Sequence, residues 1–298
     1  MAVDRVLAVG IPLLGSAEAA AAVGASLRCR REGVAVDAAL AARLDAVLDA
    51  LGILDAVQSL SAREMVGLSG QVESVLGQSA DLAANPARTA WDHSDPRILL
   101  AQGQFSTLLA PHFREFVVPS LGSDLQMRLA QPRASFLDVG TGVAALAIAM
   151  CQLWPELHVV GIDPWAFVLE VAREQVAAAG LGDRIDLRQT RVEALEDLDR
   201  HDLAWVPTFF IPETAIERAI ERVHAALRPG GYAILGLYAR PEDPVRSALA
   251  DLRTVRQGGT LCTPRELETR LRTVGFEDVE EVFDPAWRLP LTFVTGRR

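Results

Sequence analysis

Asp138 and Asp163 stand 25 positions apart, and each closes a short apolar run, Phe136-Leu137 in one case and His158-Val-Val-Gly-Ile162 in the other. Between them lie Gly140, Thr141 and Gly142, then a stretch from Val143 to Leu153 that is apolar all round. Glycine at such a turn lets the backbone approach a ligand that a Cβ would obstruct. The first amide groups of a following helix attract polar or anionic ligand groups. An acid that ends the second run can accept hydrogen bonds from both hydroxyls of a ribose. The chemistry on offer is capture of a ribose-bearing molecule.

The elements that must hold these residues follow from the pattern. Phe136 to Asp138 reads as a buried strand, 140–142 as a tight turn, 143–153 as a helix packed on a sheet, and 158–163 as a second buried strand. Two cofactors compete for such a unit. A dinucleotide fits the spacing Gly140-x-Gly142-x-x-Ala145. S-adenosylmethionine fits Asp138-x-Gly140-x-Gly142, where an acid precedes the glycines. Asp138 would repel a pyrophosphate and attract the cationic amino group of a methionine moiety.

On these residues the segment from about Arg133 to Arg298 resembles the class I S-adenosylmethionine-dependent methyltransferases, in their small-molecule, natural-product branch. Further marks are the helix of 215–227 closed by Arg228-Pro-Gly-Gly231, and a final pair of strands at 274–282 and 291–296. The resemblance implies a doubly wound α/β fold, Rossmann-like, with a seven-stranded sheet whose last strand is antiparallel. It implies Asp138, Gly140, Thr141 and Gly142 around the methionyl part, Asp163 and Pro164 at the ribose, and Arg191, Val192 and Glu193 at the adenine. Two departures stand out. The usual third glycine is Ala144, and the usual acid that accepts from the adenine amino group is Arg191, which cannot accept. The backbone of Val192, with Gln189 or Glu193, is the expected substitute. S-adenosylhomocysteine would be the product.

The loop Val206-Pro207-Thr208-Phe209-Phe210 follows the fourth strand, at the edge where an open α/β sheet binds ligands. It lacks the side-chain carbonyl that methyltransferases acting on amino groups present there, and its rings suit an apolar or aromatic molecule. The expected substrate contacts are Trp91, Trp205, Thr208, Phe209, Phe210 and Tyr238. Methyl transfer needs alignment above all, and a base only where a proton must leave. His112 and His93 are the candidate bases, with Tyr238 and Glu213 behind them; His158, His201 and His224 fall on the wrong end or face of the sheet. The reaction expected is O-methylation, with C-methylation second. The alternatives are an NAD(P)-dependent oxidoreductase or a family member that keeps the cofactor without methylating.

Residues 1–88 read as a helical domain for dimerisation or as a lid. Residues 89–130 read as a helical linker that closes the pocket, and 131–298 as the cofactor-binding catalytic domain. Ser61-Ala-Arg-Glu64 is a capping box. Gln78 to Pro96 reads as a linker, Ile98 to Val118 as helical, and Arg28-Cys-Arg-Arg31 as a solvated loop. The net charge of −10 and pI ≈ 5.1 speak against a nucleic-acid partner. No lysine occurs, since all 29 basic residues are arginine, which excludes Schiff-base and pyridoxal chemistry on a lysine. Cys29, Cys151 and Cys262 lie far apart, which suits a reducing, cytoplasmic setting and offers no metal spacing. Asp4 and Arg5 cancel the basic start that a signal peptide needs. Pro12 and Gly15 break the first apolar run, so neither export nor a membrane partner is expected.

Overall fold

A computed structural model describes residues 2–282 and 289–298. The chain falls into two compact units, Met1–Pro86 with His93–Leu108, and Ala87–Asp92 with Leu109–Arg298. The stretch 89–130, expected as one segment, is therefore shared between them.

The first unit is helical: α1 (Ala2–Glu32), α2 (Ala38–Ala50), α3 (Leu54–Ser59), α4 (Ala62–Ala84) and α5 (Pro96–Ser106). Leu27, Leu48 and Val57 form its buried centre. Three expectations are corrected here. First, α1 does not stop at Pro12 or Gly15 but runs through both. An interior proline costs ~3 kcal/mol, and the alanine- and leucine-rich flanks carry the helix past it. α1 is thereby long and apolar enough to cross a membrane, by length and composition only. Second, the arginines of 28–31 are no loop but the last turns of α1, where cations favour the helix end. Arg30 pairs with Asp45 at 2.6 Å and Arg31 donates to Ser69 Oγ at 2.7 Å. Third, α4 continues through Gln78 to Ala84, so the linker begins later. The capping box of Ser61 and Glu64 opens α4 as the sequence predicts.

The second unit begins with α6 (Leu109–His112), a π-helical turn over Phe113–Val117, α7 (Val118–Ser120) and α8 (Ser123–Leu129). The stretch 98–118, expected to be helical, is so on both sides of a turn at Thr107 and Leu108. Then come β1 (Ser135–Val139), α9 (Ala145–Leu153), β2 (His158–Asp163), α10 (Ala166–Ala178), β3 (Ile185–Gln189), β4 (His201–Pro207), α11 (Glu213–Ala226), β5 (Leu227–Tyr238), α12 (Pro244–Arg256), α13 (Pro264–Val274), β6 (Glu277–Val282) and β7 (Leu291–Arg297). They form a seven-stranded sheet of order β3-β2-β1-β4-β5-β7-β6. β7 runs antiparallel to β5 and β6, and the pairs from β3 to β5 are parallel. This is the doubly wound arrangement expected, and α12 is an element the sequence reading did not anticipate. Strand order reverses between β1 and β4, which opens a crevice at the carboxyl ends of the strands.

The opposite edge of the sheet is closed by polar bonds. Asp202 accepts from Ser135 N (2.9 Å), Arg228 (2.7 Å) and Arg128 (3.2 Å). His201 bridges Ser135 Oγ at 2.8 Å and Asp197 at 2.9 Å, and burial pushes its pKa down to about 4. This histidine is structural, on the edge the sequence assigned to it.

Candidate active site

β1 delivers the chain to Gly140 and Gly142, whose φ angles of +67° and +55° lie in the left-handed region. Thr141 N donates to Ile162 O at 3.0 Å, which ties the turn to β2. The Thr141 hydroxyl donates to Asp138 Oδ2 at 2.7 Å. This packing requires Gly161 on β2, because a Cβ there would lie 2.8 Å from Thr141 Oγ1. Ala144 takes the place of a third glycine and also holds a left-handed conformation, φ 61°. The turn keeps its shape at a strain of roughly 1–2 kcal/mol.

Asp163 ends β2 beside this turn. Its Oδ2 accepts from Gly142 N at 3.1 Å and its Oδ1 from Trp165 N at 2.9 Å. Burial raises its pKa. Asp138 is 2% exposed, and burial first, with Asp163 nearby, pushes its pKa up to about 7.

A cleft of ≈ 580 Å³ opens at the tips of β2, β3 and β4. Pro164 and Trp165 line it after β2, Gln189, Thr190 and Arg191 after β3, and Phe210 and Pro212 after β4. Thr89 to Asp92, Gln257 and Gly258 complete the wall. Trp91 and Phe210 meet with ring centroids 5.1 Å apart. The turn that carries Phe209 and Phe210 is held from a distance. Thr260 N donates to Thr208 O at 3.2 Å, and Thr260 Oγ1 donates to Ile211 O at 2.8 Å.

Residues 136–231 match the family model described as a methyltransferase domain. The chain is 31% identical over 111 residues to a release factor glutamine methyltransferase of Cereibacter sphaeroides, an alignment covering 36% of this chain and 40% of that protein. It spans between 40% and 54% of the length of the curated relatives it matches. Over 98% of this chain and 99% of the other, the fold is that of the S-adenosylmethionine-dependent methyltransferase SibL, at a TM-score of 0.62 and 21% identity. The mitomycin 7-O-methyltransferase MmcR superposes with a TM-score of 0.57 and 18% identity, covering 100% of both chains.

S-adenosylmethionine is the cofactor that the matched domain implies, and the residues present fit it. A Cβ on Gly140 would meet only Pro207 Cγ at 3.7 Å, and one on Gly142 only Gly140 O at 3.9 Å, so there is room above the turn for a ligand. Each oxygen of Asp163 has one backbone donor and a second lone pair for a ribose hydroxyl. At the adenine end Arg191 is exposed and 3.8 Å from Glu193. Gln189 turns its Nε2 to Pro164 O at 3.4 Å, which leaves its carbonyl as the accepting end. Val192 is buried in the core.

The cleft gathers only some of the other predicted residues. Trp91 and Phe210 line it, with Phe209 meeting Phe210 edge to face and Tyr238 tilted against Phe209 behind. Trp205 is 4% exposed and packs against Phe113 and Phe293, which commits it to the sheet's interior. The Thr208 hydroxyl donates to Gly236 O at 2.8 Å. His112 is buried between Phe116 and Phe293, each 5.3 Å away, and is not among the residues lining this cleft. His93 is buried in the helical unit. Glu213 is paired with Arg270 at 2.6 Å. Among the described residues no group of His, Cys, Asp and Glu is placed to hold a metal ion. The sequence reading missed Trp165, Gln257 and Gly258. Trp165 follows the ribose acid directly and was within reach of it; Gln257 had only the glycine pair after it as a signal.

Proposed function

We propose that the protein transfers a methyl group from S-adenosylmethionine to a small, largely apolar or aromatic molecule of a natural-product type, with oxygen as the methylated atom. The observation that carries this reading is the aromatic run Trp91, Phe210, Phe209 and Tyr238 on the same sheet edge as Asp163 and the glycine turn. In this reading Asp138, Gly140, Thr141 and Gly142 hold the methionyl part, Asp163 and Pro164 the ribose, and Gln189 with the turn 191–193 the adenine. The chain's own contribution is to bind, align and exclude water. A phenol or enol acceptor needs little help with its proton, which accords with His112 lying among phenylalanines. The fold shared with the mitomycin 7-O-methyltransferase supports oxygen. A cytoplasmic setting is supported by Cys29, Cys151 and Cys262 standing as free thiols. A homodimer built through α1 is supported by the exposed Val6, Leu7, Ile11 and Leu14 on that helix.

Calorimetric titration with S-adenosylhomocysteine and, separately, NADH tests the cofactor. Binding of the first, its loss in Asp163→Ala and silence with NADH are the expected result. Incubation with methyl-labelled S-adenosylmethionine and a panel of phenols and enols, read by mass spectrometry and NMR, then assigns the atom. Label on carbon in every product would overturn the oxygen reading, and binding of NADH alone would overturn the whole.

A further inference from the structure

A separate cleft of ≈ 440 Å³ opens at the other end of the sheet. That volume is within the range of small-molecule sites. Ser135 opens β1, His158 opens β2, Ile185 opens β3, and Arg200 comes just before β4. The cleft therefore lies at the amino ends of four strands, whereas Asp138 and Asp163 stand at the carboxyl ends of β1 and β2. Arg173, Val176 and Ala177 of α10 close its side.

Its charge runs against that of the chain. The chain carries −10 overall, yet Arg173, Arg184 and Arg200 all line this one cleft, with His158 beside them. Like charges gathered in a concave site raise a local potential that draws in anions. Two aspartates also line it. Asp186 is held by Arg188 at 2.6 Å, which leaves the exposed Asp183 as the remaining opposing charge in the wall. Arg184 is fixed in place, since its Nη1 donates to the carbonyls of Cys151, Trp154 and Pro155 at 3.1, 3.3 and 2.7 Å. Arg173 is exposed, and neither its guanidinium nor the His158 ring has a hydrogen bond or ion pair among the described residues. The nearest acid to Arg200 is Asp197 at 3.7 Å, and Asp197 already serves His201 at 2.9 Å and Arg188 at 3.0 Å. Guanidinium donors are thus left over at Arg173 and Arg200. Much of the remaining wall is apolar, with Val159, Val160, Val176, Ile185 and Leu187.

We propose that this cleft binds an organic anion, a carboxylate or phosphomonoester carried on a compact apolar or aromatic body. Arg173 and Arg200 donate to the anionic head, whose geometry the planar guanidinium fork matches. The anchored charge of Arg184 stands by, and the valines meet the body. The site is distinct from the cofactor cleft, because the two lie at opposite ends of β1 and β2.

The test uses the full chain at low ionic strength, without cofactor. Phenyl phosphate, benzoate, inorganic phosphate and the neutral benzyl alcohol are each titrated by ligand-observed NMR. At least one of the two aromatic anions is expected to bind, and the tighter of them names the head group. Benzyl alcohol and inorganic phosphate should each bind at least about tenfold more weakly, the first lacking the charge-assisted bonds and the second the apolar body. Arg173→Ala and Arg200→Ala should each weaken the aromatic anion roughly threefold to tenfold, the worth of one charge-assisted bond at a partly solvated site. Arg246→Ala, which removes the same charge from α12, should leave it within about twofold. Melting temperatures check that the variants are folded. Absence of binding by either aromatic anion at about 1 mM would overturn the proposal. So would unchanged affinity in both cleft variants, which places the anion elsewhere, or an equal loss in Arg246→Ala, which reduces the effect to overall charge. Benzyl alcohol binding as tightly as the anions would remove the arginines from recognition, and inorganic phosphate doing so would remove the apolar body.

Discussion

Asp138 is the residue whose chemistry changes most on folding. Its carboxyl is packed under the glycine turn with the Thr141 hydroxyl as hydrogen-bond donor, and burial lifts its pKa from 3.8 to about 7. Between those two values the folded chain holds a proton that the unfolded chain has lost. The fold therefore gains stability from this site at low pH and loses it as pH rises through about 7. Asp138→Asn keeps an acceptor for Thr141 and cannot ionise. It is expected to melt a few degrees above the wild type at pH 5, inside the window between the two pKa values, and clearly further above it at pH 8 in the absence of ligand. Circular-dichroism melts at both pH values check this, and equal slopes for the two proteins would show that Asp138 does not titrate in that range. Binding of S-adenosylhomocysteine should weaken roughly tenfold in the variant, the loss of one charge-assisted contact. Asp138, Gly140, Gly142 and Asp163 were legible in the sequence because each answers a local demand, a positive φ or an acid at a strand's end. Gly161 was not, since its requirement comes from Thr141, on the far side of a helix and a strand pairing.

The element that sets the cleft's aromatic side is the stretch from the end of α12 to Thr260. It lies 49 positions from Ile211, whose carbonyl Thr260 holds. Gly259 packs its Cα directly on the Phe209 backbone, and a Cβ there would collide with the Phe209 carbonyl. Backbone cannot yield as a side-chain tip can. Gly259→Ala is thus expected to cost about 1–3 kcal/mol by overpacking and to shift Phe209 and Phe210 out of register with Trp91. A lowered melting temperature would meet the expectation, and an unchanged melt would show that the turn is looser than its hydrogen bonds indicate. The sheet itself was legible because buried strands and their glycine turns announce themselves locally. Two things were not. α12 exposes Val245, Leu249, Leu252 and Val255 and buries Ala250 and Thr254, so its apolar pattern does not mark its packed face. The break at Thr107 and Leu108 falls where Pro111, four residues after Thr107, has no N–H to donate back to the Thr107 carbonyl, a signal the sequence reading passed over.

At the scale of the whole molecule, the chain combines a net charge of −10 with one segment that is apolar and uncovered. Val3, Val6, Leu7, Val9, Ile11, Leu13 and Leu14 of α1 are each more than half exposed, and they point to every side of the helix. A helix that is apolar all round is stable only when surrounded. Fully burying one such side chain contributes about 1.5–3 kcal/mol, against an association cost of ~4–15 kcal/mol. One stripe of such side chains from each of two helices, buried against the other, is enough to offset that cost. Sedimentation equilibrium at micromolar concentration should therefore give twice the 32.1 kDa chain mass. Leu7→Glu with Leu14→Glu, which places charges on the same stripe, should give a single chain that still binds S-adenosylhomocysteine, because the glycine turn and Asp163 belong to the other unit. A wild type that sediments as a monomer, or a double variant that stays dimeric, would remove α1 from the interface. In the first case flotation with phosphatidylglycerol-containing vesicles decides whether a bilayer covers the helix instead, a role its length and composition also satisfy.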